Sequence, residues 1–181
     1  HAAAQSGSVE CIELLLEHGA NIEAATSDGR TALHIAVVEN ELPAVECLFE
    51  KGACGRATDN NGCVPLHYAC VNGYAIVARR LLEMYPDTVN CASSQEHACR
   101  TPLHMAAQEG KTRCMRLLLL REVNIEAAMS DGCTALHIAA ANRDWYVTKC
   151  LLEKGACGRA TDNNGCVPLH YACAKGYATI A

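Results

Sequence analysis

Apolar residues recur along the chain in short clusters at helical spacing, and turns rich in Gly, Asn and Asp separate the clusters. Leu and Val residues three or four positions apart within residues 9–16 predict an amphipathic helix. Small residues after a histidine, at 34–37 and 104–107, predict a second kind of short helix. Turns such as Ser27-Asp28-Gly29 supply residues that tolerate a positive φ. The pattern therefore predicts pairs of short helices joined by tight turns.

This pattern repeats at a nearly fixed interval. A Thr/Val-Ala/Pro-Leu-His segment ends at histidines 34, 67, 104, 137 and 170, which lie 33, 37, 33 and 33 residues apart, and His1 begins a partial sixth copy. A single helix pair cannot bury its own apolar face, so neighbouring pairs must stack into a solenoid. We predict one domain over residues 1–181, with units at approximately 1–30 (partial), 31–63, 64–100, 101–133, 134–166 and 167–181 (partial).

The sequence resembles the ankyrin-repeat family through the Thr-Pro-Leu-His-x-Ala-Ala segment at 101–107, the Gly52-Ala53 pair after a second helix and the 33-residue period. The resemblance implies an all-α solenoid of stacked helix-turn-helix units with short β-hairpin fingers. It also implies a non-enzymatic, protein-binding scaffold. Because the chain opens on His1 inside a unit, we expect it to be a fragment of a longer array.

Several positions depart from the family pattern. Val64 and Val167 replace a capping Thr, and each lost hydroxyl is expected to cost about 0.5–2 kcal/mol. We expect softer junctions where the usual C-terminal glycine is replaced, at Tyr85 and Glu122, and where glycine replaces a packed Val or Ile, at Gly55 and Gly158. The 37-residue interval predicts a longer finger or turn in the third unit.

The array also contains an internal duplication. A shift of 103 residues aligns residues 1–78 with 104–181, and 50 of the 78 positions are identical. The copies diverge most at residues 37–46, which correspond to 140–149. By family analogy, the residues just before the turn between the two helices face a concave groove. Two interpretations stay open: these exposed positions drift without function, or the copies present a diversified binding groove.

The expected partner is a protein that binds this groove. The candidate groove residues are Val38, Glu39, Tyr68, Asn72, Gln108, Glu109, Asn142, Tyr171 and Lys175. The candidate finger tips are Asp28, Arg30, Asn60, Asn61, Asp131, Asn163 and Asn164. The acidic pair Glu39 and Glu109 suggests a partner with some basic character. Tyr68 and Tyr171 could form the groove floor or contact the partner. Trp145, which replaces Leu42, is interpreted as a core or edge-packing residue at the helix interface rather than as a binding hot spot, although Trp is enriched at hot spots.

Composition excludes several classes of partner and environment. Fifteen Lys and Arg against 20 Asp and Glu give a net charge of −5, and the cations are scattered, so nucleic acid is not expected. No apolar run approaches the roughly 18–20 residues of a spanning helix, so we expect no direct membrane insertion. Thirteen cysteines, an odd number, several of them within apolar runs, favour free thiols and an intracellular, cytoplasmic location.

Candidate chemistry is weak. Cys and His four residues apart, as in Cys63 and His67, could share one helical face, but zinc needs four ligands and no second Cys stands at a zinc-motif spacing. We interpret the repeated histidine as a capping residue, and we expect no catalytic site, metal or cofactor. The rival hypothesis is a regulatory or tethering segment of a larger enzyme or ion channel, which fold analogy cannot distinguish from a scaffold.

Overall fold

The computed structural model describes residues 1–174, which contain eleven α-helices and two 3₁₀ helices. Lys175, a predicted groove residue, lies outside the described residues. The α-helices are α1 (Ala2–Gln5), α2 (Val9–Glu17), α3 (Ala32–Val38), α4 (Leu42–Glu50), α5 (Pro65–Asn72), α6 (Ala75–Met84), α7 (Pro102–Gln108), α8 (Thr112–Leu118), α9 (Ala135–Asn142), α10 (Trp145–Glu153) and α11 (Pro168–Ala174).

The first helix of each pair begins as the sequence predicts. Thr101 is the N-cap of α7, its hydroxyl accepts a hydrogen bond from the backbone N–H of His104, and Pro102 occupies the first helical position. Gly73, with φ of 81°, ends α5 in the left-handed conformation that glycine adopts without steric cost. Asn40 and Arg143 adopt the same conformation at the corresponding turns, with φ of 61° and 57°.

The helices stack in two layers. The odd-numbered helices contact one another in sequence from α1 to α11, and the even-numbered helices do the same from α2 to α10. Leu33, Leu66 and Leu103 fill the space between neighbouring pairs and are almost fully buried. Alanines with 0% exposure, Ala36, Ala69, Ala106 and Ala139, let the odd-numbered helices approach closely. This all-helical repeat solenoid confirms the predicted fold class.

The fingers that join one pair to the next are tighter than the predicted hairpins. Four of them are closed by a backbone hydrogen bond across four residues, such as Asp59 N–H to Cys63 O (3.0 Å) and Met129 N–H to Cys133 O (2.9 Å). The longer third finger is closed across seven residues, by Ser93 N–H to Arg100 O (2.8 Å). In residues 1–174 the sole β feature is one antiparallel bridge between Ala128 and Thr134. The fingers are therefore turns that hydrogen-bond to the neighbouring fingers, as Asn60 N–H does to Asp28 O (3.0 Å), and they are too short to form a strand pair.

The third helix pair is followed by the predicted longer connection. Between α6 and α7 the chain forms 3₁₀ helices at Pro86–Asn90 and Gln95–His97. Val89 and Thr88 are buried there, so the added residues extend the stack rather than project from it.

Two of the departures from the family pattern fit each other. The Tyr85 ring lies where a side chain at Gly55 would stand, since an added Cβ would be 2.6 Å from Tyr85 Cε2. The Tyr85 hydroxyl donates to the Ala53 carbonyl oxygen at 2.7 Å, and its ring packs near Phe49 with centroids 5.9 Å apart. This packing argues against a softer junction at Tyr85 and Gly55. The expectation for Glu122 and Gly158 stays a prediction.

The interpretation of Trp145 as an interface residue is wrong. Trp145 is 61% exposed and begins α10 immediately after Asp144, whose carboxylate caps the helix by accepting from Val147 N–H. The position that packs inward in this helix is Val147, which is fully buried. Trp145 instead stacks edge-on against Tyr146, which is also exposed.

Candidate functional site

The candidate groove lies along the finger turns and the C-terminal ends of the odd-numbered helices. At its first end, a cleft of about 150 Å³ brings together Asp28, Arg30, Val38 and Glu39, all four of which are predicted site residues. Gln5 and Ile35 complete this cleft, and the Gln5 amide donates to the Glu39 carboxylate at 3.3 Å. Sequence reasoning missed Gln5, although it stands four residues after His1 as Val38 stands four after His34.

A second cleft, of about 870 Å³, lies between the ends of α7 and α9. It brings together the predicted residues Gln108, Glu109 and Asn142, and the Asn142 side chain donates to the Gln108 carbonyl oxygen at 2.8 Å. The same cleft is lined by Gly110, Ala141, Arg143, Asp144 and Ala174, which were not predicted. The two clefts therefore differ in their polar groups, as the divergence between the copies implies.

Asn72 is exposed at the end of α5, between these two clefts, and lines neither of them. Its side-chain amide donates to the Tyr68 carbonyl oxygen at 3.0 Å. The amide oxygen of Asn72 stays available to a ligand, so this position offers an acceptor midway along the groove.

Tyr68 ties a helix to a finger. Its hydroxyl donates to the buried Asp59 carboxylate, and it accepts from the Arg30 guanidinium at 3.2 Å. The Arg30 guanidinium also lies over the Tyr68 ring, 4.8 Å from its centroid. Burial and the neighbouring Asp59 carboxylate raise the pKa of Tyr68 to about 12. The phenol therefore stays protonated, and it can hold the finger at any physiological pH.

The second copy keeps the tyrosine and changes its neighbour. Tyr171 donates to Asp162 at 2.6 Å, which raises the pKa of Tyr171 and lowers that of Asp162. Cys133 stands where Arg30 stands in the first copy, and its Sγ lies 3.3 Å from the Tyr171 hydroxyl oxygen. Both tyrosines are half-buried, which fits a groove floor, and the Arg-to-Cys change removes a cation from the second half of the groove.

The predicted finger tips divide into two kinds. The side-chain amides of Asn60 and Asn163 donate to the carbonyl oxygens of the preceding finger, at Ser27 and Ser130, each at 3.0 Å. Their main role is therefore to join successive fingers. A Cβ at Gly29 would lie 2.6 Å from the Asn60 backbone nitrogen, so glycine is needed there for this close approach.

The remaining tips leave their side chains on the surface or inside their own turn. Asp28 and Asp131 have exposed side chains, and their carbonyl oxygens accept from the next finger. The backbone N–H groups of Asn61 and Asn164 donate to the aspartate that closes their own turn, Asp59 and Asp162. The side chain of Asn164 is exposed and that of Asn61 is half-buried.

The motif histidines His34, His67 and His137 link their helices to the following finger, whereas the buried Nε2 of His104 has no hydrogen-bond partner among the described residues. His34 Nδ1 accepts from the Thr31 backbone N–H at 3.2 Å, so the ring proton lies on Nε2, which donates to the Cys63 carbonyl oxygen at 3.1 Å. His67 and His137 make equivalent pairs of bonds, and Val64 N–H still donates to His67 although Val64 has no hydroxyl. This geometry supports the interpretation of the motif histidine as a capping residue.

Burial lowers the pKa of His34 and His67, and it lowers that of His104 to about 4. Because both ring nitrogens of His67 are already engaged, neither is available to a metal beside Cys63. Within residues 1–174 no group of three or more His, Cys, Asp or Glu side chains could hold a metal ion.

The thirteen cysteines are all free. Burial raises the pKa of the Cys63 thiol to about 11, and the buried Cys70 thiol has a raised pKa as well. Cys63 and Cys133 lie in finger turns and are buried, whereas Cys11 on α2 is exposed. The thiolate is the nucleophilic form, so the buried turn cysteines are poor nucleophiles.

A stack of helix pairs with a capping histidine at the start of α3, α5, α7 and α9 and short fingers between pairs defines a repeat scaffold of the ankyrin type. The sequence pattern of three-copy ankyrin repeats matches residues 1–92, 54–129, 85–156 and 103–181, so the chain belongs to the ankyrin-repeat family. Members of this family are generally non-enzymatic protein-interaction modules. No helix in the described part of the chain is long and apolar enough to cross a membrane.

Similar proteins place such arrays in different settings. Ankyrin repeat and SOCS box protein 16 of Homo sapiens is 33% identical over the whole chain, which spans 34% of its length. The transient receptor potential cation channel subfamily A member 1 homolog of Caenorhabditis elegans is 29% identical over the whole chain, which spans 15% of it. Transient receptor potential cation channel subfamily A member 1 of Drosophila melanogaster is 26% identical over 87% of the chain, and the match covers 10% of that protein.

Proposed function

We propose that this chain is a non-enzymatic protein-interaction scaffold that binds a partner protein through the groove. The observation that carries the proposal is the row of exposed polar side chains at the ends of successive odd-numbered helices: Glu39, Asn72, Gln108, Glu109 and Asn142. The backbone beneath them is held by buried leucines and by hydrogen bonds from finger to finger. A rigid scaffold with adaptable polar groups loses little entropy when it binds a partner.

The charges of the groove favour a partner with basic segments. Glu39 and Glu109 are exposed carboxylates in the first and second clefts, and Asp28 adds a third at a finger tip. Arg30 is drawn toward Asp28, 3.1 Å away, and toward Tyr68, so it offers little charge to a ligand. In the second half Cys133 occupies the position of Arg30, and Arg143, which corresponds to Asn40, lines the second cleft beside Glu109. We infer complementarity to Lys- or Arg-containing peptide segments.

Selection of binding peptides from a displayed random library tests this proposal, and it does not require the partner to be identified first. Peptides selected on the wild-type chain should be enriched in Lys and Arg, and Glu39→Lys with Glu109→Lys should weaken their binding at least tenfold. The helical circular dichroism should not change, because both side chains are exposed. The matched control, Glu50→Lys with Glu122→Lys, makes the same charge change away from the groove and should leave affinity unchanged. A loss of binding in the control alone would place the site on another face.

The second candidate function is a regulatory or tethering segment of a larger enzyme or ion channel. It is favoured by the similarity of the whole chain to part of a cation channel, of which it spans 15%. The coding sequence on both sides of these residues tests this candidate, because membrane-spanning segments or a catalytic domain in the same reading frame would support it. Flanking sequence that contains only further repeats would refute it.

The free thiols also bear on location. Thirteen cysteines without a disulfide fit a reducing compartment, and we propose a cytoplasmic location on that basis. Fractionation of cells that express a tagged copy tests this, and recovery of the protein from the secretory pathway would contradict it.

A further inference from the structure

The surface opposite the groove consists of the outward sides of α2, α4, α6, α8 and α10, and we call it the back surface. The duplication allows its two halves to be compared on the same backbone, because residues 1–78 and 104–181 align without a gap. Three glutamates of the first half are replaced by cations in the second: Glu10 by Arg113, Glu13 by Arg116 and Glu46 by Lys149. The two halves of the back surface therefore present opposite charges at equivalent places.

The basic half contains a cleft of about 1030 Å³ between α8 and α10. The cations Arg113, Arg116, Lys149 and Lys154 line it together with Trp145 and Tyr146. Asp144 and Glu153 line it as well, and Glu153 lies 3.8 Å from Lys149, so the cleft keeps a net positive charge of two. Trp145 and Tyr146 are 61% and 71% exposed, and they replace Leu42 and Pro43 of the first copy. Large exposed aromatic groups beside cations are typical of interaction surfaces rather than of solvated helix faces.

The acidic half has the same helix geometry on α2 and α4. Glu10, Glu13 and Glu17 follow one another at intervals of three and four residues, so they share one face of α2, and Glu50 extends the acidic surface onto α4. Glu13 lies 3.6 Å from Lys51, and Glu46 pairs with Arg80 at 2.7 Å, whereas Glu10, Glu17 and Glu50 are exposed. Leu14, between these glutamates, is 57% exposed.

We propose that the back surface binds a second copy of this chain, with the two copies antiparallel and related by a two-fold axis near α6. In that arrangement the acidic α2 and α4 of one copy face the basic α10 and α8 of its partner, and the same contact occurs twice. At the axis α6 meets its own copy, and its exposed apolar residues are Ile76 and Met84, 63% and 41% exposed, with the exposed Arg79 on the same helix. An antiparallel pair is favoured because a parallel pair would place like charges together.

The size of the surface is slightly below that of a stable pair. Five helices of about 14 Å length, spaced about 10 Å apart, give a face of roughly 700 Å² per copy. Stable pairs bury about 800 Å² per partner, so we expect a weak dimer that depends on its charges. The pairing leaves both grooves open, so it goes beyond the proposed function and would give a bivalent scaffold.

Two charge-reversed variants test the proposal. The first, Arg113→Glu with Arg116→Glu and Lys149→Glu, makes both halves acidic. The second, Glu10→Arg with Glu17→Arg and Glu50→Arg, makes both halves basic. Sedimentation equilibrium at about 0.05 M salt should show a dimer for the wild-type chain and at least tenfold weaker association for each variant alone. An equimolar mixture of the two variants should regain association, because acidic and basic surfaces then meet.

The wild-type dimer should also weaken at least tenfold at about 0.5 M salt, where surface charges are screened. A wild-type chain that is monomeric at low salt at every accessible concentration would overturn the proposal. Binding of a poly-glutamate peptide to the basic half of such a monomer would instead assign this surface to an acidic partner. Association that neither variant weakens, or that the mixture does not restore, would equally overturn it. Unchanged circular dichroism in both variants excludes unfolding as the cause.

Discussion

Gly55 and its duplicate Gly158 provide a matched pair of sites for one substitution. Neither glycine has a positive φ, so the backbone of each accepts any side chain. An added Cβ at Gly55 would lie 2.6 Å from Tyr85 Cε2, which is closer than atoms approach without displacement, whereas at Gly158 it would meet only Leu152 Cδ2, at 4.0 Å. The family usually has Val or Ile here, so Gly→Val restores the common residue at both positions. We expect opposite results.

The magnitude follows from what Tyr85 loses when it moves. Its hydrogen bond to the Ala53 carbonyl oxygen contributes about 1 kcal/mol, and its ring contact with Phe49 contributes about 0.5–1.5 kcal/mol. If Tyr85 does not move, overpacking costs about 1–3 kcal/mol instead. Gly55→Val should therefore lower the free energy of unfolding by roughly 1.5–2.5 kcal/mol. Gly158→Val should change it by less than about 1 kcal/mol, and toward higher stability, because it reduces the entropy of the unfolded chain.

Urea unfolding followed by circular dichroism measures both changes. Adding Tyr85→Leu to Gly55→Val should recover part of the loss, because leucine can leave the space that the ring occupies, and a double-mutant cycle isolates that coupling. Equal destabilisation at Gly55 and Gly158 would refute the reasoning, since the effect would then belong to the turn rather than to Tyr85. Additive effects of Gly55→Val and Tyr85→Leu would refute it as well.

Three further predictions concern the buried polar groups. Burial lowers the pKa of His104 to about 4 in the native state, below its unfolded value, so the unfolded state binds more protons. The free energy of unfolding should therefore be highest above about pH 7 and fall by up to about 3 kcal/mol toward pH 4. His104→Gln should flatten this part of the profile of urea midpoint against pH. Tyr68→Phe should lower the free energy of unfolding by about 1–2 kcal/mol, because the Asp59 carboxylate loses a hydrogen-bond donor. Tyr171→Phe should lower it less, because the residues around Asp162 are more exposed. Amide hydrogen exchange in the two fingers measures both effects. A thiol reagent at about pH 8 should modify the exposed Cys157 rapidly and the buried Cys63 only after unfolding, which mass spectrometry of the digested protein can follow.

Much of the fold could be predicted from the sequence because the same short segment recurs in successive units. The Thr-Pro-Leu-His segment specifies a cap, a first helical residue and a buried leucine, and α7 begins where that rule places it. The longer third connection was predicted from the 37-residue interval alone. The fingers were less predictable, because whether a turn extends into paired strands depends on contacts with neighbouring units that spacing does not reveal.

The positions of the candidate site residues could be predicted from the sequence, but their hydrogen-bond partners could not. The sequence identified Asn60 and Asn163 as finger tips, but it could not show that their amides bond to a carbonyl oxygen 33 residues earlier. The sequence did contain one signal of this contact. Asn60 stands 31 residues after Gly29, and Asn163 stands 31 residues after Gly132, so the Gly and Asn pair occurs in both copies. A pair that survives duplication at a fixed interval marks an interaction between units, whereas a ligand contact has no reason to recur at that interval.

Trp145 shows why hydrophobicity alone misplaces a residue in a second helix. The sequence substitutes Trp145 for Leu42, and large apolar residues usually pack inward. In α10, however, the buried positions are Val147 and Leu151, four residues apart, and Trp145 lies two residues before the first of them, on the other side of the helix. The indole of Trp145 is exposed, and the Lys149 ammonium lies over its ring, 5.0 Å from the centroid. Among the inward positions, Ala44 and Leu48 correspond to the apolar Val147 and Leu151, whereas the buried Val45 corresponds to Thr148. The change between the copies therefore reached the inward side of this helix as well as the exposed positions that Trp145 and Tyr146 occupy.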